Sequence, residues 1–282
     1  MSMWRGMALA LAGLTAFALA IPASATLASR PEPPRQADPG PRQAAVERLT
    51  VEVLAEYPHD AEAFTQGFEL HGGVLYEGTG LYGRSEIRTV RPRTGEVVDQ
   101  VALPESFFGE GITVVGDRIW QLTWQEGTAF LRDRETLAEI DRVEYDGEGW
   151  GLCHDATADR LVMSDGSDQL TFRDPETFEA RSTVPVTLDG EPLRAINELE
   201  CVDGKVWANV WFSDEIYRID PETGAVEAAV DASGLLSDSE AAEADVLNGI
   251  AAVRGEDTFL ITGKLWPRAF LVRFAPDSSS GS

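Results

Sequence analysis

The chain has 282 residues, of which 43% are hydrophobic and 25% are charged, and its formal net charge at pH 7 is −25. A surface this acidic repels phosphate backbones, so nucleic-acid binding is disfavoured and we expect no nucleic-acid partner. The length suits one large all-β domain or two smaller domains.

The first 25 residues have the organisation of an export signal. Arg5 supplies a positive charge, residues 7–20 form an apolar run without a charge, and Ala-Ser-Ala at 23–25 has the small-x-small pattern of a cleavage site. A transmembrane anchor is disfavoured because the apolar run is shorter than the roughly 20 residues that a bilayer requires. We therefore expect a secreted or periplasmic protein, monomeric, with no membrane contact after signal cleavage.

Residues 26–45 are rich in proline and polar side chains and have no apolar period. Such a composition cannot bury enough apolar surface to offset the entropy lost on ordering, so it predicts a flexible leader. The tail at 277–282 is expected to be disordered as well. The folded domain is therefore expected to span residues 46–276.

A polar turn containing threonine recurs along this domain, at Thr94, Thr136, Thr177 and Thr223, with spacings of 42, 41 and 46 residues. Each turn lies between two short runs of alternating apolar and polar residues, which is the pattern of a β-hairpin. Before the turns comes a second marker, in which two strands flank a Gly or Asp turn. Its five copies are GFELHGGVLYEGTG, GITVVGDRIWQLTW, GLCHDATADRLVMSD, ELECVDGKVWANVW and GIAAVRGEDTFLITG.

Five four-stranded units at this period predict an all-β, five-bladed β-propeller, in which radial repetition removes long exposed sheet edges. The last copy lacks an outer strand, and residues 49–57 alternate like a strand before the first copy. We expect this N-terminal strand to close the ring by pairing with the final blade. The alternative is a solenoid or an open sandwich. Residues 231–245 are compatible with one short helix.

Two cysteines and two tryptophans are assigned to the interior of this fold. Cys153 and Cys201 lie on the inner strands of successive blades, where export permits a disulfide. Two buried free thiols are the alternative, and both possibilities stay open. Trp120 and Trp207 are assigned to the core because propeller blades pack aromatic side chains between their sheets.

Several familiar chemistries find no support. The three histidines have no metal-ligand spacing, and no C-x-x-C, G-x-S-x-G or P-loop motif is present. Asp165 and Asp168 are assigned to a turn, with a structural cation as the alternative. What remains is a carboxylate, amides and aromatic side chains at the starts of the inner strands, which surround the channel mouth of a propeller. These residues are Phe64, Gln66, Phe108, Glu110, Trp150, Asn197 and Asn248.

Nine strings in register, spread over residues 62–273, carry a resemblance to a known family. They are AFTQGFE, LYEGTGLYGRS, FGEGIT, LTWQEG, EGWGL, SDGS, NELE, VWANVW and LNGIA, in this order. The chain thus resembles the glutamine cyclotransferase family of the plant and bacterial type. The resemblance implies a five-bladed propeller that converts N-terminal glutaminyl residues of peptides or proteins to pyroglutamate and releases ammonia, with no cofactor and no catalytic metal.

The resemblance also implies roles for particular residues. Glu110 matches the family's essential carboxylate, which would accept the proton of the α-amine and later deliver it to the leaving nitrogen. The tetrahedral intermediate needs a fixed donor near its oxygen, for which Gln66, Asn197 and Lys264 are candidates. The residues carried over as substrate-binding are Phe64, Gln66, Phe108, Trp124, Trp150, Asn197, Trp211 and Lys264.

Two other functions compete with this interpretation. A metal-dependent propeller lactonase or hydrolase would hold a cation with carboxylate and amide ligands at the channel mouth, where this sequence offers one good carboxylate. A non-catalytic peptide-binding propeller would explain the fold and the aromatic residues. It would not explain Glu110, Asn197 and Lys264 together. Lys264 and Lys205 are the only lysines in the chain, which indicates a need for a compact ammonium at these positions.

Overall fold

The computed structural model describes residues 45–277. The predicted signal peptide, the predicted leader up to residue 44 and residues 278–282 of the predicted tail lie outside the described residues. Within the described part the chain forms strands and one short helix, α1 (Asp238–Ala241), whose first turn is capped by Ser237. This helix lies in the predicted segment 231–245. No helix in this part is long and apolar enough to cross a membrane.

The strands follow the predicted repeat, since runs of alternating apolar and polar residues end at Gly or Asp turns. The turn after the first strand of the first sheet is an example: Gly72 and Gly73 have φ values of +60° and +83°, which a two-residue hairpin requires. The first strand of the chain is β1 (Glu47–Pro58). The first sheet contains β2 (Thr65–His71), β3 (Val74–Thr79), β4 (Glu86–Val90) and β5 (Val97–Ala102).

The remaining strands repeat this arrangement. The second sheet contains β6 (Gly109–Val115), β7 (Arg118–Thr123), β8 (Thr128–Asp133) and β9 (Glu139–Glu144). The third contains β10 (Leu152–Asp155), β11 (Arg160–Met163), β12 (Gln169–Arg173) and β13 (Ala180–Pro185), followed by a hairpin of β14 (Thr187–Leu188) and β15 (Glu191–Pro192). The last strands are β16 (Ile196–Val202), β17 (Lys205–Val210), β18 (Glu215–Ile219), β19 (Val226–Asp231), β20 (Leu247–Ala252), β21 (Phe259–Gly263) and β22 (Arg268–Pro276).

The strand β1 joins the two ends of the described chain. It pairs antiparallel with β22, from Leu49 opposite Pro276 to Pro58 opposite Arg268, so the predicted pairing with the final strand is confirmed. At its start β1 also pairs parallel with β19, which the alternation pattern did not predict. The two pairings merge the last strands into one eight-stranded sheet, ordered β16-β17-β18-β19-β1-β22-β21-β20.

The first strands of the four-stranded repeats contact one another in cyclic order. β2 contacts β6, β6 contacts β10, β10 contacts β16, β16 contacts β20, and β20 contacts β2. Cys153 and Cys201 form a disulfide that links β10 to β16, so free thiols were the wrong alternative. Trp120 and Trp207 are buried among other aromatic side chains, which confirms that they belong to the core.

The same irregularity interrupts the pairing of the first two strands in four of the repeats. The register shifts fall between Thr65 and Gly67, Gly109 and Ile112, Ile196 and Leu199, and Leu247 and Ile250. An extra residue at such a bulge bends the strand and re-aims the side chain at that position. These bulges lie at the strand starts, and there they orient the residues of the site.

Candidate functional site

Each of the four bulges carries a polar side chain, and the third repeat places a tryptophan at the equivalent position. Because the first strands are in contact around a ring, these side chains approach one another at one end of the fold. The bulge residues are Gln66, Glu110, Asn197 and Asn248, and the tryptophan is Trp150. The sequence repeat therefore positions the candidate site as well as the fold.

A cavity of about 310 Å³ opens at this end. All nine residues that the sequence resemblance assigned to catalysis or substrate binding line this cavity, and three further residues line it that were not assigned. The lining consists of Phe64, Gln66, Leu81, Phe108, Glu110, Trp124, Trp150, Asn197, Trp211, Phe212, Asp245 and Lys264. The structure thus brings the predicted site residues together, while their roles stay predictions.

Glu110 lies on β6 between two glycines and has only 4% of its surface exposed. Its Oε1 accepts a hydrogen bond of 2.9 Å from Nε2 of Gln66. Its Oε2 has no hydrogen-bond partner among the described residues. A side chain in place of Gly111 would bring its Cβ to 2.6 Å from the carbonyl oxygen of Trp150, so glycine permits the close approach of the neighbouring strand.

The surroundings of Glu110 favour its protonated form. Burial raises the pKa of its carboxyl well above the usual range, and the Lys264 ammonium offsets only part of this effect. The carboxylates of Glu148 and Glu126 raise the pKa further. A carboxyl with a raised pKa is suited to accept a proton in one step and return it in the next, near neutral pH.

The orientation of Gln66 is fixed by a residue that the sequence reasoning left without a role. Nδ2 of Asn248 donates to Oε1 of Gln66 at 3.3 Å and to the carbonyl oxygen of Thr65 at 2.9 Å. Because Asn248 binds Oε1 of Gln66, the Gln66 amide directs its nitrogen, Nε2, towards Glu110. Asn248 was predicted to lie at the channel mouth and belongs to the string LNGIA, but neither signal indicated that it orients Gln66.

Lys264 is 5% exposed, and its Nζ lies 4.9 Å from the ring centroid of Phe64. Burial lowers the pKa of its ammonium, and the negative charges of Glu110 and Asp245 counteract this in part. Within residues 45–277 the ammonium forms no ion pair with a carboxylate. It is therefore a buried positive charge beside the cavity that a developing negative charge could reach.

Two tryptophans of the cavity wall are held by one carboxylate. Oε2 of Glu148 accepts hydrogen bonds from the indole nitrogens of Trp124, at 2.9 Å, and Trp150, at 3.0 Å. Trp211 packs its ring edge-to-face against Trp150 with centroids 5.5 Å apart. Glu148 belongs to the string EGWGL but was not assigned a role, because a pairing with two indoles from different loops leaves no mark in sequence.

The aromatic wall continues on the other side of Glu110. The Phe108 ring lies edge-to-face against Phe64, at 6.2 Å, and Trp124, at 5.6 Å. Its backbone N–H donates to Glu126, which also accepts a bond from the Tyr82 hydroxyl. Phe108 is thereby held between ring contacts on one side and a carboxylate-anchored loop on the other.

Asn197 supplies an unsatisfied polar atom to the same cavity. It is 2% exposed, and its Oδ1 has no hydrogen-bond partner in the part of the chain that the structure describes. Its main-chain oxygen accepts a 2.7 Å bond from Ser164, which fixes the strand start. An orphaned oxygen at this position can accept a hydrogen bond from an amide or amine of a ligand.

Asp165 has the turn role that was predicted for it, since its carboxylate accepts the backbone N–H of Ser167. The main-chain oxygen of Asp168 accepts from Val186 at the end of the same loop. No group of three or more His, Cys, Asp or Glu side chains among residues 45–277 has an arrangement that could hold a metal ion.

Comparison with known proteins gives consistent matches. A family model described as glutamine cyclotransferase matches residues 19–274. The chain is 39% identical over 235 residues to the glutaminyl-peptide cyclotransferase of Arabidopsis thaliana, covering 81% of this chain and 72% of that protein. It is also similar to the crystal structure of Myxococcus xanthus glutaminyl cyclase, with a TM-score of 0.75 and 38% identity, covering 83% of this chain and 100% of the other.

Proposed function

From the premise that this chain belongs to the glutamine cyclotransferase family, we propose that Glu110 is the general acid and base of its reaction. The protein is a glutaminyl-peptide cyclotransferase, which converts the N-terminal glutaminyl residue of a peptide or protein to pyroglutamate and releases ammonia. The observation that carries the role of Glu110 is its buried, unpartnered Oε2 beside the cavity.

The reaction forms one carbon–nitrogen bond and breaks one. Oε2 of Glu110 accepts a proton from the substrate's α-amine, and the amine nitrogen attacks the carbon of the substrate's own side-chain amide. The bond between that carbon and the amide nitrogen then breaks, and Glu110 returns the proton to the departing nitrogen, which leaves as ammonia. Gln66 holds Oε1 throughout, so the carboxyl keeps its free oxygen towards the substrate.

Lys264 and Asn197 complete the polar part of the site. The attack places negative charge on the former amide oxygen, and the Lys264 ammonium stabilises it in surroundings of low dielectric constant. Gln66 is less suited to this task because its Nε2 already donates to Glu110. Oδ1 of Asn197 accepts a hydrogen bond from the substrate's amide or amine nitrogen.

The aromatic residues supply geometry. Phe64, Phe108 and the three tryptophans enclose an uncharged side chain such as that of glutamine, and they keep it folded back towards its own amine. Binding keeps the amine and the side-chain amide in contact, so they need not meet by chance, and this lowers the entropic part of the activation barrier. Glu148 contributes by fixing two of the indoles.

The same proposal includes a five-bladed β-propeller closed by the N-terminal strand. Its support is the set of four-stranded sheets, the cyclic contacts of their first strands and the antiparallel pairing of β1 with β22. The TM-score of 0.75 to a glutaminyl cyclase is consistent with it. An experimental structure in which another number of sheets surrounds the axis would overturn this part.

Export is proposed from the sequence of the first 25 residues. The mature protein would begin at Thr26 and would be secreted or periplasmic and monomeric. N-terminal sequencing of the protein recovered from the medium or periplasm tests the cleavage site, and light scattering tests the monomer. A protein that keeps Met1 in the cytoplasm would contradict the proposal.

The activity is tested by ammonia release from glutaminamide, with and without EDTA, by the wild type and Glu110→Gln. We expect release by the wild type under both conditions and a loss of at least about a hundredfold in the variant. Glu105→Gln is the matched control, because Glu105 is an exposed glutamate on the loop that precedes β6. Release that EDTA abolishes would favour the metal-dependent alternative, and peptide binding without turnover would favour a binding protein.

A further inference from the structure

We propose that Trp211 and Phe212 form a subsite for the second residue of the substrate, and that this subsite favours a basic side chain. The inference rests on the proposed function, because it concerns the part of the peptide that follows the reacting glutamine. It was not predicted from the sequence, in which Phe212 had no role.

Phe212 has an exposure that packing does not explain. It is 76% exposed, and its φ of +63° lies in the left-handed region, which bulky residues seldom adopt. The turn is held by backbone bonds from Trp211 to Ala195 and from Ser213 to Val210. Leu81 and Leu265, in the corresponding loops of other repeats, also have positive φ values, so it is the exposure of the ring that distinguishes Phe212.

The Phe212 ring extends the wall of the cavity outwards. It stacks on Trp211, with centroids 4.4 Å apart and an interplanar angle of 26°. Trp211 is 42% exposed and in turn contacts the edge of Trp150 inside the cavity. A peptide whose glutamine is enclosed beside Glu110 must continue towards solvent, and this stacked pair presents an aromatic surface at the open side.

The charges around the mouth are predominantly negative. Asp245 lines the cavity and is exposed, while Glu126 and Glu148 act electrostatically on Glu110 from the surrounding loops. Lys264 is the only base among the described lining residues, and it is buried. Arg84, which lines a neighbouring cavity that shares Phe64 and Leu81, is paired with Glu62 at 3.5 Å. The mouth therefore attracts cations and disfavours anions.

A basic side chain on the second residue fits both the exposed aromatic pair and the negative charge around the mouth. Aromatic faces bind ammonium and guanidinium groups through the negative charge of their π-systems, and the acidic mouth adds a long-range attraction. An apolar second residue would gain from the aromatic surface alone. An acidic one would be repelled, so the order of preference is basic, then apolar, then acidic.

The test compares glutaminamide, which has no second residue, with Gln-Lys-amide, Gln-norleucine-amide and Gln-Glu-amide, using kcat/KM for ammonia release. Norleucine has the four-carbon chain of lysine without its terminal ammonium. We expect Gln-Lys-amide to exceed Gln-norleucine-amide by about threefold at low ionic strength. We expect this ratio to shrink as salt shortens the screening length from about 30 Å to about 3 Å. Equal values for the two peptides would overturn the charge preference.

Variants test whether the preference for a basic second residue arises at the subsite. Phe212→Ala and Phe212→Gly should lower the ratio of Gln-Lys-amide to glutaminamide by about threefold, and Asp245→Asn should lower the ratio of Gln-Lys-amide to Gln-norleucine-amide. Glycine relieves the left-handed strain, so this variant folds even if alanine does not. The matched control is Ile140→Ala, which removes an exposed apolar side chain of β9.

The outcomes separate this inference from the proposed function. If the wild type turns over glutaminamide but Phe212→Gly and Ile140→Ala give the same substrate ratios, the subsite is refuted and the cyclotransferase stands. If the wild type releases no ammonia from any of the four compounds, the proposed function is refuted, and the subsite with it.

Discussion

Glu77 and Glu110 are both glutamates in the first two sheets and both have almost no exposed surface, yet their surroundings differ. Both oxygens of Glu77 are paired: Oε1 with the Thr65 hydroxyl at 2.7 Å and with His59 at 3.0 Å, and Oε2 with Arg88 at 2.9 Å. Glu110 has one paired oxygen and one free oxygen beside a cavity.

Their pKa values move in opposite directions as a result. Burial raises the pKa of Glu77, but the charges of His59 and Arg88 and the hydrogen bonds outweigh it and bring the pKa to about 2. Burial lowers the pKa of His59, yet the Glu77 carboxylate outweighs this and the pKa is raised. For Glu110, burial dominates and the pKa is raised. A carboxylate with partners for both oxygens stabilises the fold, whereas a carboxylate with one unpartnered oxygen stays available for a substrate.

The largest effect should come from removing the free carboxylate. Glu110→Gln keeps the shape of the side chain and removes the base, so kcat/KM should fall by about a hundredfold to ten-thousandfold. The free energy of unfolding should stay the same or rise near neutral pH, because a buried group that resists ionisation is replaced by a neutral amide. Ammonia release and urea denaturation measure the two quantities. A variant with near wild-type turnover would refute the catalytic role.

Removing the fully paired carboxylate of Glu77 should instead destabilise the fold. Glu77→Gln leaves the buried His59 and Arg88 without their shared anion, which should cost about 3 kcal/mol in the free energy of unfolding. Urea denaturation at pH 7 measures the loss. Glu96→Gln is the control, because it breaks an exposed pair with Arg91, where we expect less than about 1 kcal/mol.

The pH dependence gives a second check on Glu77. Its pKa is lowered on folding, so its contribution to stability is present above its unfolded pKa of about 4.5. That contribution is lost as the pH falls towards about 2. The difference in unfolding free energy between wild type and Glu77→Gln should therefore shrink over this range. A difference independent of pH would contradict the ionised network.

Substitutions of Lys264 test how its positive charge acts on the reaction and on the pKa of Glu110. Lys264→Met should lower kcat/KM by about a hundredfold if the ammonium stabilises the negative intermediate. It should also move the acid limb of the pH profile of kcat/KM to higher pH, because the ammonium lowers the pKa of Glu110. Lys264→Arg should be damaging too, since a guanidinium does not fit a site built for a compact ammonium. A wild-type-like Arg variant would show that charge alone suffices.

The smallest effect should come from Glu126→Gln. Its carboxylate raises the pKa of Glu110 from a distance, so the variant should move the acid limb to lower pH with little change in the maximal rate. The pH profile of kcat/KM measures the shift. Glu105→Gln, exposed on the preceding loop, should leave the limb in place, and an equal shift in both variants would indicate a general effect of net charge.

The strands and the pairing of β1 with β22 could be predicted, because alternation and turn residues are local signals that repeat five times. The residues of the cavity came from the resemblance, in which short strings keep their order. Neither signal contains the bulges at Gln66 and Glu110, since an extra residue in a strand is visible only against its partner strand.

The networks were also beyond reach from the sequence. The hydrogen-bond partners of the Glu77 carboxylate lie on three separate segments, and Glu148 binds indoles from two loops. Such contacts depend on tertiary approach and leave no spacing to detect. For the same reason the sequence left the pairing of Cys153 with Cys201 open, although it placed both on neighbouring inner strands.

The pairing of β1 with β22 has a consequence for how the chain reaches this state. β1 is made much earlier in translation than its antiparallel partner, with more than two hundred residues between them. Contacts so distant in sequence form slowly, because a long loop must close before any of them contributes. The sheet that contains both strands therefore cannot be completed before β22 has been made. We expect β1 to remain without its antiparallel partner during most of synthesis and this sheet to form late in folding.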